Sequence, residues 1–187
     1  MKYFRLYMDD EMHGGIVCYY NSNYRIDSKR LKSGIYFEMN NKSFEFSYLE
    51  KEGNIWTDYL ANDKGLFLVS EKLKGLMESL STDIQFIPVL VSEKKSKYSK
   101  TYFIANVLTK VNALCLEVSD YCSIEYEGVG VINYVSKYGI DPSKTNKADV
   151  FKLVPRNQYP IFVSENFKNM IDELNITGVS LLEIRVK

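Results

Sequence analysis

The sequence contains a single histidine, His13, and only three cysteines in 187 residues. Because zinc sites and acid–base triads rely on imidazole, one histidine removes most metal-binding and catalytic arrangements. Cys18, Cys115 and Cys122 form no closely spaced pair, so we interpret them as thiols in a reducing compartment, with Cys115 and Cys122 buried. We therefore expect a cytoplasmic protein without a metal centre or a cofactor.

Net charge and long apolar runs are also absent. The 24 basic and 24 acidic side chains cancel, whereas a general nucleic-acid binder carries a basic face. No stretch approaches the roughly 20 apolar residues of a membrane span, and the start MKYFRLYMDD lacks the apolar segment of a signal peptide. We expect neither nucleic acid nor a membrane as a partner.

The motifs of common enzyme classes are missing as well. The chain has no G-x4-G-K-[ST] phosphate loop, and Gly128-Val129-Gly130 lacks the third glycine of a dinucleotide fingerprint. Glu125 and Glu127 are spaced to project from one face of a strand, and paired carboxylates can cleave glycosides or hold a metal. A solvated strand face is the simpler interpretation of this pair, so we predict that the protein is not an enzyme.

What the chain does have is an unusual number of aromatic residues, with 15 tyrosines and 10 phenylalanines. One interpretation is that they fill the core of a strand-rich fold, for which aromatic residues have high propensity. The other is that some tyrosines form a recognition surface, because aromatic rings are enriched in protein interfaces. Both interpretations can hold for different tyrosines.

Two segments carry the same strand–helix–strand pattern. Val69-Ser70-Glu71 and Val163-Ser164-Glu165 each place a serine N-cap after an apolar strand and an acid at the first helical position. Apolar residues follow each serine at helical spacing, and a second strand follows each helix. The two units predict a pseudo-repeat, although a serine N-cap before an amphipathic helix is common enough to arise independently.

The remaining apolar segments are short and bounded by turn formers, as expected of strands. They are Lys2–Met8, Gly15–Tyr20, Gly34–Glu38, Ser43–Leu49, Thr101–Leu108, Val111–Val118, Ser123–Tyr126 and Val129–Tyr138. Two helices against about eight strands predict an α+β fold with a largely antiparallel sheet. We expect one domain over residues 1–187, with lobes 1–92 and 93–187 as the alternative division.

Three stretches give the sequence a family resemblance. They are LFLVSEKLKGLMESLSTDIQFIPV at Leu66–Val89, TYFIANVLTKVNALCLEVS at Thr101–Ser119, and VFKLVPRNQYPIFVSENFKNMIDELNITGVSLLEI at Val150–Ile184. In these features the chain resembles a family of bacterial polymorphic-toxin immunity proteins. One departure is that Asn112 and Cys115 stand where that family tends to carry aspartates. The resemblance implies a protein that binds and neutralises a cognate toxin domain in the cytoplasm.

Candidate partner-binding residues follow from acids beside aromatics and from turn positions. Because nuclease toxins are usually basic, acidic groups on an inhibitor are natural contacts. The candidates are Trp56, Asp58 and Tyr59, then Glu125, Tyr126 and Glu127, and finally Tyr19, Tyr20 and Tyr24 near the Asn21–Asn23 turn. For Trp56, an anchoring role in the core is the stronger interpretation.

Two other functions stay open from the sequence. The chain could be a general protein-interaction module without a toxin partner. It could also be a small-molecule-binding protein or enzyme that uses carboxylates in a sheet-walled pocket, with Glu125 and Glu127 inside. The oligomeric state, the identity of the toxin and the face that binds it are not determined by these patterns.

Overall fold

A computed structural model describes residues 1–9, 11, 13–23, 25–39, 43–80, 82–95, 98–128, 130–155 and 159–187. In these ranges strands predominate over helices, so the predicted α+β class fits broadly. The strands are β1 (Tyr3–Met8), β2 (Val17–Tyr20), β3 (Phe44–Tyr48), β4 (Tyr59–Asn62), β5 (Leu68–Val69), β6 (Ile84–Glu93), β7 (Ser99–Val107), β8 (Lys110–Val111), β9 (Asp120–Tyr126), β10 (Gly130–Lys137), β11 (Gly139–Ile140), β12 (Val150–Leu153), β13 (Ile161–Ser164), β14 (Val179–Glu183) and β15 (Arg185–Val186). The helices are α1 (Ser28–Lys32), α2 (Glu71–Glu78) and α3 (Glu165–Glu173).

Six strands close into a barrel with the order β2-β3-β6-β7-β5-β4. Its pairs are antiparallel except for β2 with β4 and β3 with β6. The period-two pattern of β3 fills the interior, because Phe44, Phe46 and Tyr48 are buried there while Glu45 is exposed. The prediction of one largely antiparallel sheet is therefore only partly right, because the strands of about half of the chain form a closed barrel.

A separate five-stranded sheet has the order β14-β1-β13-β12-β8, and only its β12–β8 pair is parallel. One face of this sheet packs toward the barrel, and the other covers a second apolar cluster that includes Phe151 and Phe162. The strand β1 alternates between these two layers, with Phe4 and Leu6 on one side and Tyr3 on the other.

The two predicted amphipathic helices are confirmed, and both begin where the serine caps predict. The Ser70 side chain accepts a hydrogen bond from the Leu73 amide, and the Ser164 side chain accepts one from the Phe167 amide. Leu73 of α2 and Phe167 of α3 lie in the same apolar cluster between barrel and sheet. The two helices therefore help to join the two β layers.

The two strand–helix–strand units share one strand arrangement. The strands that flank α2, β5 and β6, both pair antiparallel with β7, which lies between them. The strands that flank α3, β13 and β14, pair in the same way with β1. In each sheet a further antiparallel strand adds beyond the first, β4 beside β5 and β12 beside β13.

Two predicted strands are wrong. Gly34–Glu38 is not a strand; instead the short helix α1 precedes it, capped by the Asp27 side chain. The Gln85 side chain bonds to both the amide and the carbonyl of Phe37, so a side chain satisfies the backbone groups that a ladder would otherwise pair. Within Val111–Val118 only the first residue belongs to a strand, and Leu116–Val118 forms a 3-10 turn.

The barrel and the sheet each include strands from both halves of the chain. The β6–β7 hairpin spans residue 92, so residues 99–107 complete a barrel built otherwise from residues 17–93. Conversely, β1 at residues 3–8 lies inside the sheet that is otherwise formed by residues 110–183.

Among the helices that the structure describes, none is long and apolar enough to cross a bilayer.

Candidate interaction surface

The strands β9 and β10 form a two-stranded ribbon, defined here as residues 120–137 and described except for residue 129. In the described part of the chain these strands pair only with each other. Nearly every described residue of β9 is exposed, and most of β10 is exposed as well. The ribbon therefore offers two side-chain faces and two strand edges to other molecules.

One face of the ribbon is apolar. The antiparallel register pairs Ile124 with Ile132 and Cys122 with Tyr134, and it places Tyr126 on the same face. Ile124, Tyr126 and Tyr134 are exposed by 43%, 41% and 47%, although large apolar side chains are usually buried. The hydroxyl groups of Tyr126 and Tyr134 are 2.9 Å apart and share a hydrogen bond, so the two rings form one joined patch.

The base of the ribbon is tied to the body by a charged cluster. Arg185 donates to both carboxylate oxygens of Asp120, at 2.6 and 3.3 Å, and Lys137 lies 3.5 Å from the same carboxylate. The hydrogen bond from Arg185 is the main reason that the pKa of Asp120 is lowered. Val135 is half-buried against the core cluster that contains Tyr138, so the ribbon is anchored by apolar packing as well.

The predicted group Glu125, Tyr126 and Glu127 lies at the far end of this ribbon. Glu125 stands opposite Val131 and faces away from the Tyr126 side, while Glu127 lies in the turn that follows β9. All three residues are exposed. The structure therefore places an acidic end beside the apolar face.

The predicted group Trp56, Asp58 and Tyr59 does not form one surface. Trp56 is half-buried and packs against the rings of Tyr48, Tyr98 and Tyr102, with centroid distances of 5.2 to 5.9 Å. Lys100 places its ammonium 4.5 Å from the Trp56 ring. Tyr98 is 51% exposed, so this aromatic cluster has one open side.

The Tyr59 side chain points into the protein. Its ring packs edge-on against Phe67 with a centroid distance of 4.7 Å, and it joins the apolar layer that holds α2 and α3. Burial raises the pKa of Tyr59 to about 12. This tyrosine therefore contributes mainly to packing.

Asp58 forms the centre of a junction between the two halves of the fold, which we define as Asp58, Ser70, Thr177 and Gly178. Its carboxylate accepts the Ser70 hydroxyl at 2.6 Å, and it also accepts the amide and hydroxyl of Thr177 at 3.0 and 3.1 Å. The start of α2 is thereby tied to the turn that follows α3. Internal hydrogen bonds thus engage both carboxylate oxygens.

The tyrosines near the predicted Asn21–Asn23 turn differ in exposure. Tyr19 is 38% exposed, and a hydrogen bond to Glu52 raises its pKa. Tyr20 is half-buried, with its ring against Phe44 and Phe46. Tyr24 lies outside the described residues.

Most of the apolar face of the ribbon was not among the binding residues predicted from the sequence. Ile124, Ile132 and Tyr134 belong to predicted strands, but the alternation could not show that within the described residues these strands pair only with each other. Cys122 was expected to be buried and is exposed, because the residues around it pack only across the ribbon. Cys18 and Cys115 are buried, and burial raises the pKa of Cys18 to about 12.

Neither end of the ribbon resembles a metal centre. Among the residues that the structure describes, no three histidine, cysteine, aspartate or glutamate side chains are grouped so as to hold a metal ion. A persistent exposed apolar face beside charged groups is instead typical of a protein-binding surface. The fold and this surface thus indicate a class of protein, an α+β domain with an exposed surface of the kind that protein-binding modules carry.

The family follows from a comparison with protein-family models. Residues 2–186 match the model of the Immunity protein family (Imm11), and the chain belongs to that family. The resemblance carried by Leu66–Val89, Thr101–Ser119 and Val150–Ile184 is therefore confirmed. No curated protein matches the chain. Membership assigns the protein to toxin immunity in general, which implies a toxin protein as partner and a non-catalytic role.

Proposed function

We propose that the chain acts as one domain in the cytoplasm, where it binds a cognate toxin domain through the ribbon and neutralises it. The observation that carries the choice of surface is the joined apolar face at Ile124, Tyr126 and Tyr134, which remains exposed. Family membership supports a toxin as the occupant of this face.

The ribbon suits strong binding for two physical reasons. Tyrosine and isoleucine bury large apolar areas at the centre of an interface, and tyrosine loses little side-chain entropy on binding. The outer edges of β9 and β10 also carry backbone groups that can pair with a strand of the partner. A complete interface of about 1,600 Å² would extend beyond the ribbon onto the neighbouring body.

The acidic end of the ribbon supports steering of a basic toxin. Glu125 and Glu127 are exposed, so their charge acts through solvent and would raise the rate of association. This effect would weaken as salt is added, because exposed charges are screened over about 8 Å at physiological ionic strength.

The second surface available to the toxin is the open side of the aromatic cluster at Trp56, Tyr98 and Lys100, together with the exposed Tyr19. The rings already pack on one another, so this surface is rigid and costs little ordering on binding. We place it second because most of the contact area of Trp56 and Tyr102 is already buried against the barrel core.

We further propose that the two halves arose from one repeated unit. Each half places an aspartate before a strand, and the serine N-cap of the following helix donates its hydroxyl to that aspartate, Ser70 to Asp58 and Ser164 to Asp149. In both halves the serine amide also donates to the aspartate carbonyl, at 2.9 Å. Matching backbone and side-chain bonds, added to the matching strand order, support duplication over convergence.

A rescue experiment tests the proposed function. The toxin domain encoded beside this gene would be expressed in bacteria with and without the chain, and survivors would be counted. We expect survival only with the chain, together with a 1:1 complex on gel filtration. A toxin that kills equally in both strains, with no complex formed, would refute neutralisation of that toxin.

A further inference from the structure

A cavity of about 350 Å³ lies between the barrel and the five-stranded sheet, and no ribbon residue lines it. Strand β1 and the segment leading into β13 form one wall, and the end of α1, residues 65–67 and part of β7 form the other. Its volume falls within the range of small-molecule sites, roughly 300–1,000 Å³.

The unusual group in this cavity is Lys152. Its side chain comes from β12 and is only 2% exposed. The ammonium donates to the carbonyl of Tyr159 at 3.3 Å, and no carboxylate lies within ion-pair distance of it among the described residues. Since burying an unpaired ammonium costs several kcal/mol, lysines at such positions normally pair with an acid.

Two further lysines lie in this region, Lys32 in the lining of the cavity and Lys110 beside Lys152. The Lys32 ammonium lies 3.0 Å from the point where a Cβ on Gly65 would stand. A Cβ on Gly34 would lie 3.2 Å from both Lys110 Cε and Lys152 Cδ. Because glycine has no side chain, Lys110 and Lys152 can both pack against the backbone at this position. None of the described residues that line the cavity is an aspartate or a glutamate.

We propose that this cavity binds a small anion, carrying phosphoryl or carboxylate groups, that forms an ion pair with Lys152. The anion would supply the negative charge that the described residues do not place beside the ammonium. Tyr59 and Tyr159 also line the cavity and offer hydroxyl donors. The site is distinct from the apolar face of the ribbon, because none of the ribbon residues lines the cavity.

Anion binding should be linked to protonation of Lys152. Burial, and secondarily the charge of Lys110, lower the pKa of Lys152 from 10.5 to about 7 in the free protein. A bound anion favours the charged amine, so affinity should fall as the pH rises above 7. Among the described residues, the charged or titratable groups that line the cavity with Lys152 or act on its charge are Lys32, Lys110, Tyr59, Arg5, Tyr7 and Tyr159.

Calorimetric titration of the full chain with sulfate tests the site, because sulfate does not titrate near neutral pH. We expect saturable binding at pH 6 that weakens at least about tenfold by pH 8.5. Lys152→Met keeps an unbranched side chain one atom shorter and removes the amine, and we expect it to abolish both the binding and its pH dependence. Lys32→Met provides a second, half-exposed position and should weaken binding at pH 6.

The matched control is Lys51→Met, which changes the net charge equally at an exposed position outside the cavity. It should bind sulfate as the wild type does. Parallel titrations with pyrophosphate and succinate assign the site to phosphoryl or to carboxylate ligands by their relative affinity. Failure of all three anions to bind at about 10 mM, or equal binding by wild type and Lys152→Met, would overturn the proposal.

Discussion

At the scale of single residues, the junction around Asp58 explains why separated parts of the sequence form one structure. Asp58 accepts hydrogen bonds from Ser70 and Thr177, which lie 12 and 119 positions away along the chain. Gly178 follows immediately, with φ at +77°, and a Cβ there would stand 2.5 Å from the Tyr59 carbonyl oxygen. The conformation and the close approach both require glycine.

Gly178→Ala should therefore destabilise the protein by more than 3 kcal/mol, because it adds a backbone clash to the strain of a positive φ. Gly128→Ala is the matched control, since Gly128 has nearly the same φ, +72°, but open space around its Cβ position. We expect the control to cost about 1–2 kcal/mol. Urea unfolding of both variants measures the difference, and equal costs would show that the close approach is unimportant.

Lys152 gives a second prediction at this scale, in the dependence of stability on pH. The folded state has a pKa of about 7 for this amine and the unfolded state keeps about 10.5, so the unfolded chain binds more protons between these values. Below pH 7 both states are charged, and the folded state bears the full cost of the buried ammonium. The contribution of Lys152 to stability should therefore become more favourable as the pH rises from 7 to 10.

Lys152→Met should exceed the wild type in free energy of unfolding at pH 6. That advantage should shrink by up to about 1.4 kcal/mol per pH unit between pH 7 and 10. Urea unfolding at pH 6, 7.5 and 9 in chloride buffers, with Lys51→Met as control, provides the test. A difference that stays constant over this range would mean that Lys152 titrates alike in the folded and unfolded chain.

At the scale of elements, we expect substitutions in the ribbon to change toxin affinity much more than folding stability. Among the described residues of the ribbon, the half-buried Val135 packs on a core cluster, and it lies on the face opposite to Ile124 and Tyr134. Substitutions on the apolar face therefore remove little buried area, and exposed positions usually change stability by less than about 0.5 kcal/mol. The same side chains would lie at the centre of the proposed interface, where loss of an aromatic anchor costs 2 kcal/mol or more.

The double variant Ile124→Ser with Tyr134→Ser should therefore weaken toxin binding by about 100-fold or more while the unfolding midpoint in urea stays close to that of the wild type. Tyr36→Ser is the control, because Tyr36 is 60% exposed and lies outside the ribbon. Isothermal titration calorimetry with the toxin domain gives both affinities. Unchanged affinity in the double variant would remove the ribbon from the interface.

Element types could be predicted from the sequence where local chemistry decides them. Ser70 and Ser164 correctly predicted the starts of the two amphipathic helices α2 and α3. The strand predicted at Gly34–Glu38 is wrong because the side chain of Gln85, far along the chain, forms hydrogen bonds with the backbone of Phe37. Such a long-range side-chain contact leaves no trace in local periodicity.

At the scale of the whole molecule, the class of fold and the family could be predicted, but the arrangement of the strands could not. Whether strands close into a barrel depends on pairings such as β2 with β4, which involve short segments far apart in the chain. The exposure of Ile124 and Tyr134 is likewise a global property, because it depends on β9 and β10 pairing with no further strand of the described chain. The sequence showed the acids Glu125 and Glu127 of this surface, and the structure added its apolar centre.

The most direct test of the account is amide hydrogen exchange of the chain, free and in complex with its toxin domain, followed by mass spectrometry. We predict that binding slows exchange most strongly in peptides from residues 120–137, with little change in α1 at Ser28–Lys32. Protection confined to the peptides around Trp56 and Tyr98, with the ribbon exchanging as in the free protein, would contradict the ribbon as the toxin-binding surface.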